Sequence, residues 1–257
     1  MKAIDRRTFI SSGIKVLATG LLSSLVTVVL PPATGTAGGT ASREWPKLWQ
    51  QREWGFVVDA RKCIGCGTCV WACKRENGVP MDREVYRTWV ERYVIGPNDQ
   101  LYIESPQGGA SFDRIGGSVP EKSFFVPKLC NQCADPPCVQ VCPVGATYRT
   151  GDGVVLVDRV RCVGCRYCIQ ACPYGARFLH PDLMVADKCT WCYHRISKGM
   201  LPACVQVCPV GARIFGNLKD KGNPVTPIMA RNQVQVLKPD MGTEPRVFYL
   251  GLDKVVR

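Results

Sequence analysis

Sixteen cysteines constrain this chain of 257 residues more than any other feature, because their spacing sorts them into four sets of four. The first is Cys63, Cys66, Cys69 and Cys73, in CIGCGTCVWAC. Cys130, Cys133, Cys138 and Cys142 follow in CNQCADPPCVQVCP, then Cys162, Cys165, Cys168 and Cys172 in CVGCRYCIQACP. The last set is Cys189 and Cys192 in CTWC, an eleven-residue insert, then Cys204 and Cys208 in CVQVCP. Sets one and three read C-x2-C-x2-C-x3-C, a run whose first three thiolates hold a cubane iron–sulfur cluster. A loop that short can wrap the cubane with its backbone N–H groups aimed at the sulfides, while the fourth cysteine opens a helical turn and ligates a second cluster.

Other uses of cysteine fit less well. Zinc ribbons employ CxxC pairs but lack the third cysteine and the fourth followed by Pro. Disulfides within such tight clusters would be strained local bridges. Unliganded buried cysteines would not fall into quartets. Pro follows Cys142, Cys172 and Cys208, whereas Lys74 follows Cys73. An internal repeat agrees: VCPVGA occupies 141–146 and 207–212, and ACPYGA 171–176. After 146 the segment ATYRTGDGVVLVD reads as two strands joined at the T-G-D-G tetrad. Such irregular repetition marks duplicated cluster modules, not a solenoid. Because all 16 cysteines are present, the expected cofactors are four [4Fe–4S] clusters.

Composition removes several alternatives. Hydrophobic residues at 46% and charged residues at 21% exclude a disordered, collagenous or multi-span membrane chain. His180 and His194 are the only histidines, too few for a multi-haem protein or a His-rich zinc enzyme. The formal charge of +12 suggests a nucleic-acid partner. Four oxidised cubanes with their thiolates contribute roughly −8, however. Loss of the segment carrying Lys2, Arg6, Arg7 and Lys15 against Asp5 would leave the holoprotein close to neutral. No nucleic-acid partner is expected. Nor is any catalytic residue: the chain shows no nucleophile–base constellation, no GxGxxG after a strand and no phosphate loop.

The amino terminus has the layout of an export signal. Arg6-Arg7 precede Thr8-Phe9-Ile10, a mildly apolar stretch runs from Ile14 to Leu30, and small residues including Ala33 and Ala37 close it. The paired arginines resemble the twin-arginine type, which exports folded proteins and so suits clusters assembled in the cytoplasm. The competing reading is an uncleaved membrane tether, although the stretch is interrupted by Lys15 and a span prefers about 20 apolar residues. The expected location is periplasmic and peripheral to the membrane.

Four such cysteine groups, the second spaced CxxCxxxxCxxxCP, resemble the iron–sulfur electron-transfer subunits of the molybdopterin oxidoreductases, which include dimethyl sulfoxide, tetrathionate, polysulfide and nitrite reductase systems. The resemblance covers roughly Trp54 to Gly251, including the tail VQVLKPDMGTEPRVFYLG. It implies an α+β fold: two bacterial-ferredoxin-like modules with short β-hairpins and helices around the clusters, plus loop insertions and a C-terminal extension. It implies that Cys63, Cys66, Cys69 and Cys208 hold one cluster and that Cys189, Cys192, Cys204 and Cys73 hold its neighbour. In the other module the implied sets are Cys130, Cys133, Cys138 and Cys172, and Cys162, Cys165, Cys168 and Cys142, with all four clusters in a line. The implied partners are a molybdopterin catalytic subunit and an integral membrane quinone-reactive subunit or multihaem cytochrome. A stand-alone polyferredoxin and an electron-transfer subunit of a hydrogenase or formate dehydrogenase are the alternatives.

The chain then divides into an export signal (1–40) and a segment 41–129 holding a linker with Trp45 and Trp49, the first cysteine group and a β-rich insertion. An inner two-cluster module (130–180), a return segment (181–222) completing the outer module with 54–80, and an extension (223–257) follow. Strands are expected at Trp54–Asp59, through YRTWVERYVI between Val85 and Ile103, and at Arg246–Leu250. Helices are expected at Val70–Glu76 and about Pro227–Gln233, with a Gly-rich loop over 104–119. Trp71, Tyr167, Tyr174 and Trp191 read as shields of the sulfides from water. Lys74, Arg166 and Lys188 read as solvated surface charges, and His194 as a packing or hydrogen-bonding residue.

Overall fold

Every position of the first strand, β1 (Trp54–Asp59), is buried, which requires partners on both edges and cover on both faces. The computed structural model describes residues 52–113 and 120–256. The export signal expected over 1–40, the linker tryptophans Trp45 and Trp49 and the loop residues 114–119 lie outside the described residues.

From β1 the chain passes through the first cysteine loop into α1 (Thr68–Asn77). The expected antiparallel insertion follows as β2 (Thr88–Ile95), β3 (Leu101–Glu104) and β4 (Lys122–Leu129), in the order β3-β2-β4. The run read as one strand is thus a hairpin, broken at Gly96-Pro97, where Pro97 supplies no N–H for a ladder. Strand β4 carries Pro127 opposite Val90. Its place on the sheet edge makes the proline tolerable, and Tyr93 stacks on Phe124 across the pair at 5.2 Å.

The inner region repeats a short helix and a short strand. It runs α2 (Pro137–Gln140), β5 (Thr147–Arg149), β6 (Val155–Val157), α3 (Tyr167–Gln170), β7 (Arg177–Leu179) and β8 (Ala186–Lys188). The T-G-D-G tetrad closes the β5–β6 hairpin, with Thr150 N donating to Val154 O at 2.8 Å and Gly153 at φ 85°. Beyond β8 lie α4 (Tyr193–Ile196), α5 (Ala203–Gln206), β9 (Arg213–Asn217), α6 (Val225–Arg231), β10 (Val234–Gln235) and β11 (Val247–Leu250). The strands flanking the first and last cysteine groups then meet. β1 pairs antiparallel with β9, placing Phe56 opposite Phe215, and parallel with β11, placing Val58 opposite Tyr249. With β10 outermost the sheet order is β10-β11-β1-β9. Helix α1 packs on α5, and α2 on α3. The architecture is α+β, with short helices and small sheets around the cysteines.

Helix lengths follow from one residue. Pro143, Pro173 and Pro209 stop the chain from continuing as helix past Cys142, Cys172 and Cys208. At the corresponding place α1 has Lys74, and it continues to Asn77 before ending on Gly78 in the left-handed region.

Two of the three lysine and arginine side chains expected at the surface are buried. Lys74 is 2% exposed, its Nζ donating to Pro80 O at 2.9 Å and Arg83 O at 2.6 Å and lying over the Tyr86 ring. Lys188 is fully buried, with Nζ bonded to the carbonyls of Val155 and Cys189. Both ammonium groups satisfy backbone carbonyls that would otherwise lack that donor. Arg166 is exposed.

Candidate functional site

Three cavities are each ringed by four cysteines drawn from two separate groups. Cys63, Cys66 and Cys69 line the first with Cys208 from the far end of the domain. Cys130, Cys133 and Cys138 line a second with Cys172. Cys189, Cys192 and Cys204 line a third with Cys73. The matched donor sets identify three instances of one kind of site. The pairing β1–β9 carries the first and last groups together, and the packing of α1 on α5 brings Cys69 and Cys73 beside Cys204. Of the remaining four, Cys168 is buried beside Val155 and Ala186 with Cys162 on that cluster's edge, while Cys165 is exposed. Cys142 accepts from Thr147 N and Cys162 from Ala186 N, each at 3.4 Å.

The loops turn tightly enough to present several sulfurs because each contains left-handed residues. Gly65 and Gly67 in the first, Gln132 in the second, Gly164 and Arg166 in the third, and Trp191 and Cys192 in the fourth all have φ between 46° and 69°. Backbone N–H groups consequently turn toward sulfur, as in Trp191 N to Cys189 Sγ at 3.4 Å and Ala212 N to Cys208 Sγ at 3.3 Å.

The donor set fits a polynuclear group. Among the described residues no three His, Cys, Asp or Glu side chains converge to hold a single metal ion; the thiols stand around a void instead. Among the described residues, the buried side-chain polar atoms without a hydrogen-bond partner are Asn131 Nδ2 and Oδ1, Arg177 Nη2, Trp191 Nε1 and Arg213 Nη1. Every one of these residues lines a cysteine cavity. A buried donor left unmet costs about 1–3 kcal/mol, and the sulfides of a cluster held in these cavities would offer the unpartnered nitrogens acceptors.

The electrostatics have the same form. Burial pushes the Cys63 thiol up to about 11 and those of Cys133 and Cys204 to about 12. Burial likewise raises Cys73, Cys138, Cys172 and Cys189. Such thiols stay protonated until metal takes the proton's place, because a coordinating metal deprotonates a thiol outright. At Cys142 a smaller penalty of burial is outweighed by the backbone N–H groups of Thr147, Val144 and Ala146, which bring the thiol below its ordinary value.

The aromatic residues expected to shield the sulfides divide. Trp191 is 1% exposed and stands in the wall of the third cavity, against Phe56 at 6.3 Å and edge-on to Phe215 at 5.4 Å. Tyr174 lines the second cavity and shares a 2.5 Å hydroxyl hydrogen bond with Thr243. Tyr167, 59% exposed, shields little. Trp71 is half-buried on the wall of an open groove with Arg75 and Arg195. His194 bonds Glu76 Oε1 at 2.7 Å, as a hydrogen-bonding residue does. Sequence reasoning missed Arg177, Arg213, Asn131 and Asn77. The two arginines left one visible sign: each directly follows the G-A of a repeat.

Comparison with known proteins agrees with this site. A family described as a 4Fe-4S dicluster domain matches residues 121–218, and a second of the same description matches 62–146. Two dicluster domains give four [4Fe–4S] clusters, the number that 16 cysteines can ligate. A tetrathionate reductase subunit of Salmonella typhimurium is 43% identical over 205 residues, covering 79% of this chain and 74% of the relative. The protein of the same name from Archaeoglobus fulgidus is 44% identical over 217 residues, covering 84% and 90%. A selenate reductase subunit of Mesobacillus selenatarsenatis is 36% identical over 241 residues, covering 81% and 75%. By its cysteine cavities, its paired dicluster domains and these relatives, the chain belongs to the iron–sulfur electron-transfer subunits of the molybdopterin oxidoreductases.

Proposed function

We propose that this chain relays single electrons between a membrane quinol-oxidising subunit, or a multihaem cytochrome, and a molybdopterin catalytic subunit in anaerobic respiration. The observation that carries the reading is the exchange of cysteines: in each cavity three thiols come from one group and one from another. Two sites that share their cysteine loops are held close together, which is the arrangement one-electron hopping needs. The ligand sets are Cys63, Cys66, Cys69 and Cys208; Cys189, Cys192, Cys204 and Cys73; Cys130, Cys133, Cys138 and Cys172; and Cys162, Cys165, Cys168 and Cys142.

The clusters supply reversible one-electron chemistry when bound. The protein fixes their spacing, excludes water through Trp191 and Phe56, and aims N–H groups at sulfur. The relatives at 43% and 44% identity support a catalytic partner acting on a sulfur oxyanion of the tetrathionate kind. No helix among the described residues is long and apolar enough to cross a membrane, and quinone contact is assigned to a separate polypeptide, as the family resemblance implies. Arg6-Arg7 and the segment after them support export of the folded holoprotein to the periplasm by the twin-arginine route.

Anaerobic purification from the native host tests this. The expected preparation is brown, holds iron and sulfide for four cubanes, gives paramagnetic signals with dithionite and brings down a molybdenum-containing polypeptide. A monomer with no partner overturns the relay and leaves a polyferredoxin. A colourless zinc protein overturns the whole reading.

A further inference from the structure

The repeat C-P-x-G-A is followed by Thr147, Arg177 and Arg213 in its three occurrences. Both arginines are buried, at 5% and 2% exposure, and neither has a carboxylate partner among the ion pairs of the described residues. Each is held by one threonine hydroxyl. Arg177 Nη1 donates to Thr147 Oγ1 at 3.3 Å, and Arg213 Nη2 to Thr88 Oγ1 at 2.8 Å. In each the other terminal nitrogen, Nη2 of Arg177 and Nη1 of Arg213, meets no acceptor in the protein. A buried guanidinium without an anion is costly, so an unusual charge must stand opposite it.

The surroundings name that charge. Arg177 lines the cavity of Cys130, Cys133, Cys138 and Cys172, and Thr147, which holds it, donates its backbone N–H to Cys142 of the adjoining set. Arg213 lines the cavity of Cys63, Cys66, Cys69 and Cys208, and Thr88, which holds it, lines the neighbouring cavity of Cys73, Cys189, Cys192 and Cys204. Each arginine is therefore tied to both ligand sets of one module; Arg87, which also lines a cavity of the outer module, is already paired with Asp187. An oxidised cubane with four thiolates carries about −2, and reduction by one electron takes it to about −3. Two such anions side by side repel, and a fixed cation between them favours the more negative, reduced form of both.

We propose that Arg177 and Arg213 are paired positioning charges, each lodged between the two clusters of its module, donating to cluster sulfur and raising both midpoint potentials. This rests on the ligand sets proposed above. Thr147 and Thr88 fix which nitrogen faces the clusters. The Thr at the first repeat position is then no exception: it orients the arginine of the second.

Redox titration of the anaerobic holoprotein, followed by electron paramagnetic resonance, tests the assignment. Serine variants of Cys138, Cys168, Cys69 and Cys204 first attribute each signal to a set. With full iron retained, Arg177→Met should lower the midpoints of the Cys138 and Cys168 clusters and leave the other two in place. Arg213→Met should do the same to the Cys69 and Cys204 clusters. The expected shift in each is about tenfold in the reduction equilibrium, about 59 mV for a one-electron couple. Arg177→Lys and Arg213→Lys, which keep the charge, should recover most of it. Unmoved midpoints in iron-replete Met variants would overturn the proposal, while Cys138→Ser and Cys168→Ser altering one and the same cluster would overturn the ligand sets instead. Should the Met variants fail to assemble, wild-type protein labelled with 15N only in arginine guanidinium groups decides. Nitrogen coupling to reduced clusters is expected, and its absence sinks the assignment.

Discussion

The amide nitrogen of Asn77 stands 3.6 Å from the sulfur of Cys73 and 3.6 Å from that of Cys192, joining two cavity-lining thiols from opposite ends of the domain. The orientation of this amide is fixed by chemistry. Arg87 Nη1 donates to Asn77 Oδ1 at 2.9 Å, and a guanidinium has only donors, so the oxygen must face Arg87 and the nitrogen the sulfurs. Replacing Asn77 with Leu should therefore have two effects. Loss of an N–H donor to thiolate sulfur should lower the midpoint of that cluster alone. Arg87 losing an acceptor should cost about 1–3 kcal/mol. Redox titration and the rate of iron release from the holoprotein read the two separately.

Arg87 also pairs with Asp187 at 2.8 Å, both side chains 6% exposed. The pair ties the approach to β2 to β8 and so holds the insertion against the inner module. Asp187→Asn should leave the buried Arg87 without its carboxylate, facing only Asn77 and the Cys73 cavity, and cost about 3–5 kcal/mol. The double variant Arg87→Met, Asp187→Leu should recover most of that, because replacing both charges removes the burial penalty along with the attraction. A double-mutant cycle on the rate of iron release measures the difference.

Lys74→Pro would give the first cysteine group the proline that the other three have. The change removes an N–H inside α1 and should cost about 3 kcal/mol or more. Its specific signature should be loss of the contacts that only the extra turn delivers, namely Asn77 to Cys192 and Glu76 to Arg195 and His194. The variant should lose iron first from the site lined by Cys73, and Lys74→Ala, which keeps the helix, should lose less.

How much of this is legible before folding depends on whether a feature is local. Trp54–Asp59 reads as a strand because WGFVVD is a run of buried-strand residues, and T-G-D-G reads as a turn because Gly153 must adopt positive φ. The helix expected at Val70–Glu76 extends one or two residues further at each end, since α1 spans Thr68–Asn77 and nothing stops it before Gly78. Strand β4 is hidden by Pro127, which only an edge position excuses. The sheet joining β1, β9 and β11 leaves no local period at all. Lys74 and Lys188 mislead because a lysine in a polar stretch reads as solvated, and only the fold shows which carbonyls need it. Asn77 cannot be found from spacing, because its worth lies in an approach to Cys192 across 115 positions of sequence.

Acid should weaken the same junction. The hydrogen bond from His194, reinforced by Arg195, holds the Glu76 carboxyl below its ordinary value. A carboxylate lowered in the folded state adds stability above its unfolded pKa of about 4.3. That stability is lost as pH falls through the lower folded value. Glu76→Gln should therefore be less stable than the parent at neutral pH and converge with it at the acid end. Iron release followed from about pH 7 down to about pH 3 checks the convergence; parallel curves throughout would exclude the linkage.

Gly67 and Arg166 occupy the same place in the first and third cysteine loops, at φ 67° and 68°. If conformation alone chose the residue, glycine would be preferred at both, since a left-handed non-glycine residue costs about 1–2 kcal/mol. What separates them is approach. A Cβ on Gly67 would stand 2.4 Å from Ala110 Cα and 2.9 Å from Gly109 O, both backbone atoms that cannot swing aside. Arg166 is exposed and accepts the strain. Arg166→Gly should thus stabilise the third loop by about 1–2 kcal/mol. Gly67→Ala should cost more than that figure, because the insertion carrying Ala110 must shift away from the first cysteine loop. Unfolding of cluster proteins is irreversible in practice, so the comparison belongs to rates. Iron should leave the Arg166→Gly protein more slowly than the parent, and the Gly67→Ala protein faster.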